Sequence, residues 1–171
     1  MASLIEELID TLNKENSEYE KLLELSKRKA AVIVARDIPA LEKITDDEQT
    51  VVSDISALDA KRAQVTADIA DVINKDVETL KLSVLIDLLG KQPKEQKALS
   101  DVHDRLKVTV DSVRAINESN AQLIAQSLEM VEFDINMMRA MRQAPETNNY
   151  GRGAVSAHET LGAVRGFDAK Q

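Results

Sequence analysis

Apolar residues recur at Ile5, Leu8, Leu12, Tyr19, Leu22, Ala30 and Ile33, a heptad-like stripe that predicts one long amphipathic helix. Its opening, "SLIE", reads as a capping box in which Ser3 accepts from the amide near Glu6 and Glu6 reaches back. This helix is expected to end near Arg36. In "RDIPAL", Asp37 suits an N-cap, and Pro39 is tolerated in a first turn, where its missing N–H has no partner to lose. A second helix carries the cleaner pattern. Leu41, Ile44, Glu48, Val51, Ile55, Leu58, Arg62, Val65, Ile69 and Val72 alternate steps of three and four without a slip, which is coiled-coil spacing.

Residues 74–93 are irregular, except that "SVLIDLLG" predicts a short helix closed by Gly90. Pro93 starts a third helix that runs to about Gln143, roughly 75 Å at ~1.5 Å per residue. Its stripe is Leu99, Val102, Leu106, Val110, Val113, Asn117, Asn120, Ile124, Leu128, Val131, Ile135 and Met138. The fold class expected is all-α: an elongated helical bundle of an antiparallel hairpin plus one long third helix, with a short connecting helix. The bundle domain is assigned to 1–143 and a flexible C-terminal tail to 144–171.

Charges interrupt the apolar seam. A hairpin turning near residue 37 sets Arg62 beside Leu12 and within a turn of Glu15, and Glu48 beside Ser26 and within a turn of Lys29. Glu15–Arg62 and Lys29–Glu48 ion pairs are therefore expected. They would control register, because a slipped hairpin leaves a half-buried charge unpaired. The competing reading of Glu48 as a catalytic carboxylate has no histidine or second carboxylate on the same face to support it. Asn117 and Asn120 fit the same register role.

Four of the five methionines lie between residues 130 and 141. There the third helix carries a second apolar stripe, Leu123, Met130, Phe133, Met137 and Met141, about a third of a turn from the first. The first stripe suffices to pack the bundle, so the second is a candidate binding surface. Methionine-rich surfaces repack around different helices. Coverage by the short helix, by the tail or by another subunit is the alternative, and oligomeric state stays open.

The tail changes grammar. Gly151, Gly153, Gly162 and Gly166 all follow residue 143, and its basic and acidic residues cancel. "SAHE" at 156–159 is a second capping box, with Ala157, Leu161 and Val164 on one side of a short helix. Such a segment suits folding on a partner. Tyr150 is then an anchor, large and with few rotors; the alternative is that it packs back onto the bundle, over the methionine stripe.

Composition narrows the function. The formal charge of −8 argues against nucleic acid, which needs a basic stripe. No cysteine is present, so disulfides, thiol catalysis and cysteine metal sites are excluded. The acidic start "MASLIEELID" is unlike a secretory signal, and no apolar run approaches the ~20 residues that span a bilayer. A cytoplasmic protein without membrane insertion is expected. A di-iron bundle needs Glu-x-x-His twice, but Ser100 and Val155 stand three residues before His103 and His158. "HDRLKV" at His103 invites a degenerate histidine phosphotransfer reading; that family has one residue between His and Leu and a glycine after Lys, whereas two residues and Val108 occur here. No enzyme and no cofactor are expected.

The sequence resembles the FlgN family of flagellar export chaperones. Glu15, Tyr19, Leu22, Leu23 and Lys29 match its spaced residues in helix 1, and Leu41, Ile44, Glu48, Gln49, Leu58 and Arg62 its run in helix 2. "NESNAQLIAQSLE" and the Tyr-Gly-x-Gly at 150–153 are similar to its later features. The resemblance implies a cytosolic protein that binds the hook–filament junction proteins FlgK and FlgL before export. It further implies delivery to the export-gate protein FlhA, engaged through Tyr150. A structural coiled-coil adaptor with no export role is the alternative.

Overall fold

The computed structural model describes residues 2–143, and these are all-α. Helix α1 spans Ala2–Ala35, α2 Ile38–Ile73, α3 Leu82–Leu88 and α4 Pro93–Gln143. Short 3₁₀ turns at Val77–Thr79 and Leu89–Lys91 flank α3. The chain divides into two compact units, Met1–Glu129 and Met130–Gln171, with the boundary inside α4.

In the first unit the turn after α1 is made without glycine. Arg36 adopts φ 55°, while the amides of Arg36 and Asp37 bond back to Ile33 and Val32. Asp37 then caps α2, its carboxylate accepting from the Ala40 amide at 3.1 Å. We expect Asp37→Ala to lower stability by about 1 kcal/mol through the lost cap, read as a shifted denaturant midpoint at unchanged slope. The α1 start departs from expectation. The helix already includes Ala2, so Ser3 lies inside its first turn instead of capping it.

Helices α1 and α2 run antiparallel. Ser26 and Lys29, late in α1, meet Glu48 early in α2, while Glu7 and Glu15 meet Lys61 and Arg62. Helix α4 runs parallel to α1 at a near-constant offset. Its contacts Arg105–Asn13, Thr109–Asn16 and Asn120–Ser26 are separated by 92, 93 and 94 residues. The chain achieves this direction because α3 and its flanking turns reverse it at the end of the bundle that the α2 C-terminus and the α1 N-terminus share. Gln96 at the start of α4 donates to the Ile86 carbonyl of α3, 2.9 Å away.

The core is layered. Ile5, Leu8, Leu12, Val65, Ile69, Leu80, Leu85, Leu89, Leu99 and Val102 form the larger apolar cluster, where α3 closes the end of the bundle. Leu22, Val51, Ile55 and Val113 form a second, with Tyr19 packed against it. Polar residues separate the two.

Three details of the apolar pattern are corrected. Val72 is 56% exposed, and Ala70 and Ile73 turn inward instead. A straight α-helix drifts roughly 20° per heptad, so after four heptads an unbroken three-four spacing is about 80° off the core. Gly90 does not close α3 in a left-handed conformation; a 3₁₀ turn does, and a Cβ at Gly90 would meet nothing within 4 Å. Finally, Ile124, Leu128, Val131, Ile135 and Met138, expected to continue the core, are all exposed. Spacing along α4 is uninterrupted, but α1 is finite. The offset that pairs the two helices, applied to Ala35, reaches about residue 128: α1 runs out before Val131, but Ile124 and Leu128 are level with its last two turns and exposed even so.

Candidate functional site

The seam charges come together in the first unit. Lys29 Nζ lies 2.7 Å from Glu48 Oε2. Ser26 Oγ sits 3.3 Å from the other Glu48 oxygen and 3.1 Å from Asn117 Oδ1, while Asn120 Nδ2 donates to the Ser26 carbonyl at 2.8 Å. One hydroxyl proton cannot serve two acceptors. Turning the Asn117 amide over resolves this, with Nδ2 donating to Ser26 and the serine proton going to Glu48. This polar layer ties all three long helices together. A second polar contact joins α1 to α4, with Thr109 Oγ1 2.9 Å from Asn16 Oδ1 and 3.0 Å from the Arg105 carbonyl, two acceptors that share its one proton.

Arg62 Nε approaches Glu15 Oε1 at 3.1 Å, but neither atom has an aligned hydrogen bond, so the contact is chiefly charge on charge. Arg62 also contacts Asp59 on its own helix. A cavity of about 400 Å³, lined by Arg62, Thr66 and Leu80 among others, flanks the guanidinium. Glu15 is buried, and that burial pushes its carboxyl above the usual carboxylate value; Arg62 pulls the other way, and Asp59 adds to the rise. For Arg62, burial acts to lower the value, but Asp59 and Glu15 together raise it.

The native state therefore holds the Glu15 proton more tightly than the unfolded chain does. Its contribution to stability is fullest below the unfolded carboxylate value and is lost as pH rises through the raised folded value. We expect Glu48→Ala and Arg62→Ala to destabilise the bundle by about 1–3 kcal/mol, since the first leaves the half-buried Lys29 and the second the buried Glu15 without its ion-pair partner. The Arg62→Ala loss should be smaller in mild acid, where Glu15 can protonate. Thermal melts at several pH values check this, and unchanged melts would remove the register role of the pairs.

The second unit, through residue 143, is the end of α4. Met130, Val131, Phe133, Ile135, Met137, Met138 and Met141 are all exposed there, Phe133 at 67%. Of the residues assigned to the binding stripe, Met130, Phe133, Met137 and Met141 lie here on one face. Leu123 is half-buried and belongs to the first unit. At 100° per residue, Val131, Ile135 and Met138 form another face about a third of a turn away. Glu132, Asn136 and Arg139 lie on the remaining, polar side, while Asp134 falls between the two apolar faces and Arg142 on the second. Sequence reasoning missed the Val131 face because its spacing is indistinguishable from core.

His103 is partly exposed, its Nδ1 3.1 Å from Asp104 of the same helix. Among the described residues no group of three or more His, Cys, Asp or Glu could hold a metal ion, and no helix is long and apolar enough to cross a membrane. Tyr150 and the tail helix candidate lie outside the described residues.

The family model described as FlgN protein matches residues 1–157. Comparison with curated proteins and with solved structures gave no match.

Proposed function

The chain belongs to the FlgN family, which makes it a flagellar export chaperone, and on that premise we propose that it binds hook–filament junction proteins of the FlgK and FlgL type before their type III export. The client site is the end of α4, built on Met130, Phe133, Met137 and Met141. The observation that carries this is the cluster of large apolar side chains exposed between residues 130 and 141. A client's amphipathic terminal helix would bury them by helix-in-groove packing, and unbranched methionine lets one surface fit more than one client.

The chaperone works in the cytoplasm and hands its cargo to FlhA, with Tyr150 as the gate anchor. Separating the gate contact from the client contact lets one molecule hold both. The test is direct mixing of the purified chain with FlgK and with FlgL at micromolar concentration, followed by size-exclusion chromatography. Co-elution is expected; independent elution of both pairs would refute the reading.

A further inference from the structure

Within the first unit, α4 is gripped unevenly by the hairpin. Near its start, Leu99 and Val102 are fully buried in the larger apolar cluster, and Leu106 packs against it. Beyond Leu106 only three α4 residues are buried, and two of them, Thr109 and Asn120, are polar. Val113 is the one buried apolar side chain there, with Val110, Ile116 and Leu123 half-buried. Farther along, Ile124 is 37% and Leu128 60% exposed, although both are level with the last turns of α1. The apolar grip on α4 falls away between residue 99 and residue 128.

The polar contacts that take its place are individually weak. Thr109 divides one proton between Asn16 Oδ1 and the Arg105 carbonyl, so docking gives its hydroxyl little that its own helix does not already supply. Asn120 donates to the Ser26 carbonyl, but its Oδ1 is buried and finds no hydrogen-bond partner among the described residues. Water satisfies that oxygen once the helix moves away, which offsets part of what the docked contact contributes. The hairpin itself depends little on this seam. Ile5, Leu8 and Leu12 of α1 share one cluster with Val65 and Ile69 of α2, and Leu22 shares the other with Val51 and Ile55. Val113 is the one buried residue that α4 adds to the second cluster.

We propose that residues 107–129 of α4 form a detachable arm, which separates from the hairpin by a local opening while residues 93–106 stay docked, and so uncovers an apolar groove along Leu22, Val51 and Ile55. The segments of a fold that open locally are those with few buried apolar contacts, and this seam has that character. Once detached, the arm lacks the neighbours that keep so long a helix ordered, and it frays while the rest of the unit stays folded. No proline or glycine lies between Lys94 and Gln143, so the opening starts where the apolar grip ends, at Leu106, and not at a built-in kink. The inference stands apart from the client reading, which concerns residues 130–141.

The chain contains no cysteine, so one introduced thiol reports one position. Val113→Cys, Ile55→Cys and Leu99→Cys are each labelled with excess N-ethylmaleimide at several low urea concentrations, and the rates are read by mass spectrometry. Positions 113 and 55 are expected to label at similar rates, at least tenfold faster than position 99. Their urea dependence should also be smaller, because a partial opening exposes less surface than complete unfolding. Equal rates at all three positions, with the urea dependence of complete unfolding, would overturn the proposal. Fast labelling at 113 with position 55 as slow as position 99 would overturn it too, since the groove then stays covered. Hydrogen exchange of the unaltered chain is the second measurement, free of any effect of the substitutions. Amides of residues 110–129 should exchange at least tenfold faster than those of 97–106, and equal protection along both segments would again contradict the arm.

Discussion

Replacing both Phe133 and Met137 with aspartate is expected to abolish client binding, lowering affinity for FlgK at least a hundredfold. Burying a large apolar side chain contributes roughly 1.5–3 kcal/mol, so losing two accounts for more than the 2.7 kcal/mol that corresponds to a hundredfold. Each new carboxylate must also be desolvated against the client, which adds to the loss. Phe133 is 67% and Met137 48% exposed, so the free protein loses little packing there. Aspartate is a weaker helix former by several tenths of a kcal/mol, which is small beside the stability of a 51-residue helix docked along its first half. Asn136→Asp, on the polar side, adds one negative charge without removing apolar surface and should retain binding. Calorimetric titration separates these outcomes: full affinity in the double variant would move the client site away from α4.

The second large effect is expected at Tyr150. Tyr150→Ala should leave the affinity for FlgK unchanged and reduce affinity for FlhA at least tenfold. Truncating an aromatic anchor at the centre of an interface commonly removes 2 kcal/mol or more. The separation between residue 150 and the apolar faces at 130–141 is what predicts the selective loss. If client affinity falls and gate affinity does not, Tyr150 belongs to the client groove.

Much of the first unit was legible in the sequence because periodicity, caps and charge each constrain one helix locally. Asp37 and Pro39 mark the turn. Given that turn, antiparallel counting brings Lys29 to Glu48 and Arg62 to Glu15, and both contacts occur. The buried hydroxyls and amides were not legible. Asn16, Ser26 and Thr109 have the composition of surface residues, and only the meeting of α1 with α4 at an offset of 91–94 residues places them inside. That offset depends on the direction of α4, which the connecting segment decides.

The candidate site was half legible for a related reason. The methionine stripe stands out as an extra apolar face. The Val131, Ile135 and Met138 face does not, because a heptad pattern records the seam of one helix and not the length of its partner. Only the end of α1 at Ala35 reveals where the seam runs out. Gly90 illustrates the converse error: a glycine after an apolar run suggests a left-handed cap, yet the following turn is 3₁₀ and requires no glycine.

Amide hydrogen exchange of the full chain, alone and saturated with FlgK, tests the central claim most directly. The account predicts strong additional protection across residues 130–143 on binding, with little change in the clusters around Leu8 and Leu99, which are already protected by burial. Protection confined to the hairpin, with residues 130–143 exchanging as in the free protein, would contradict it.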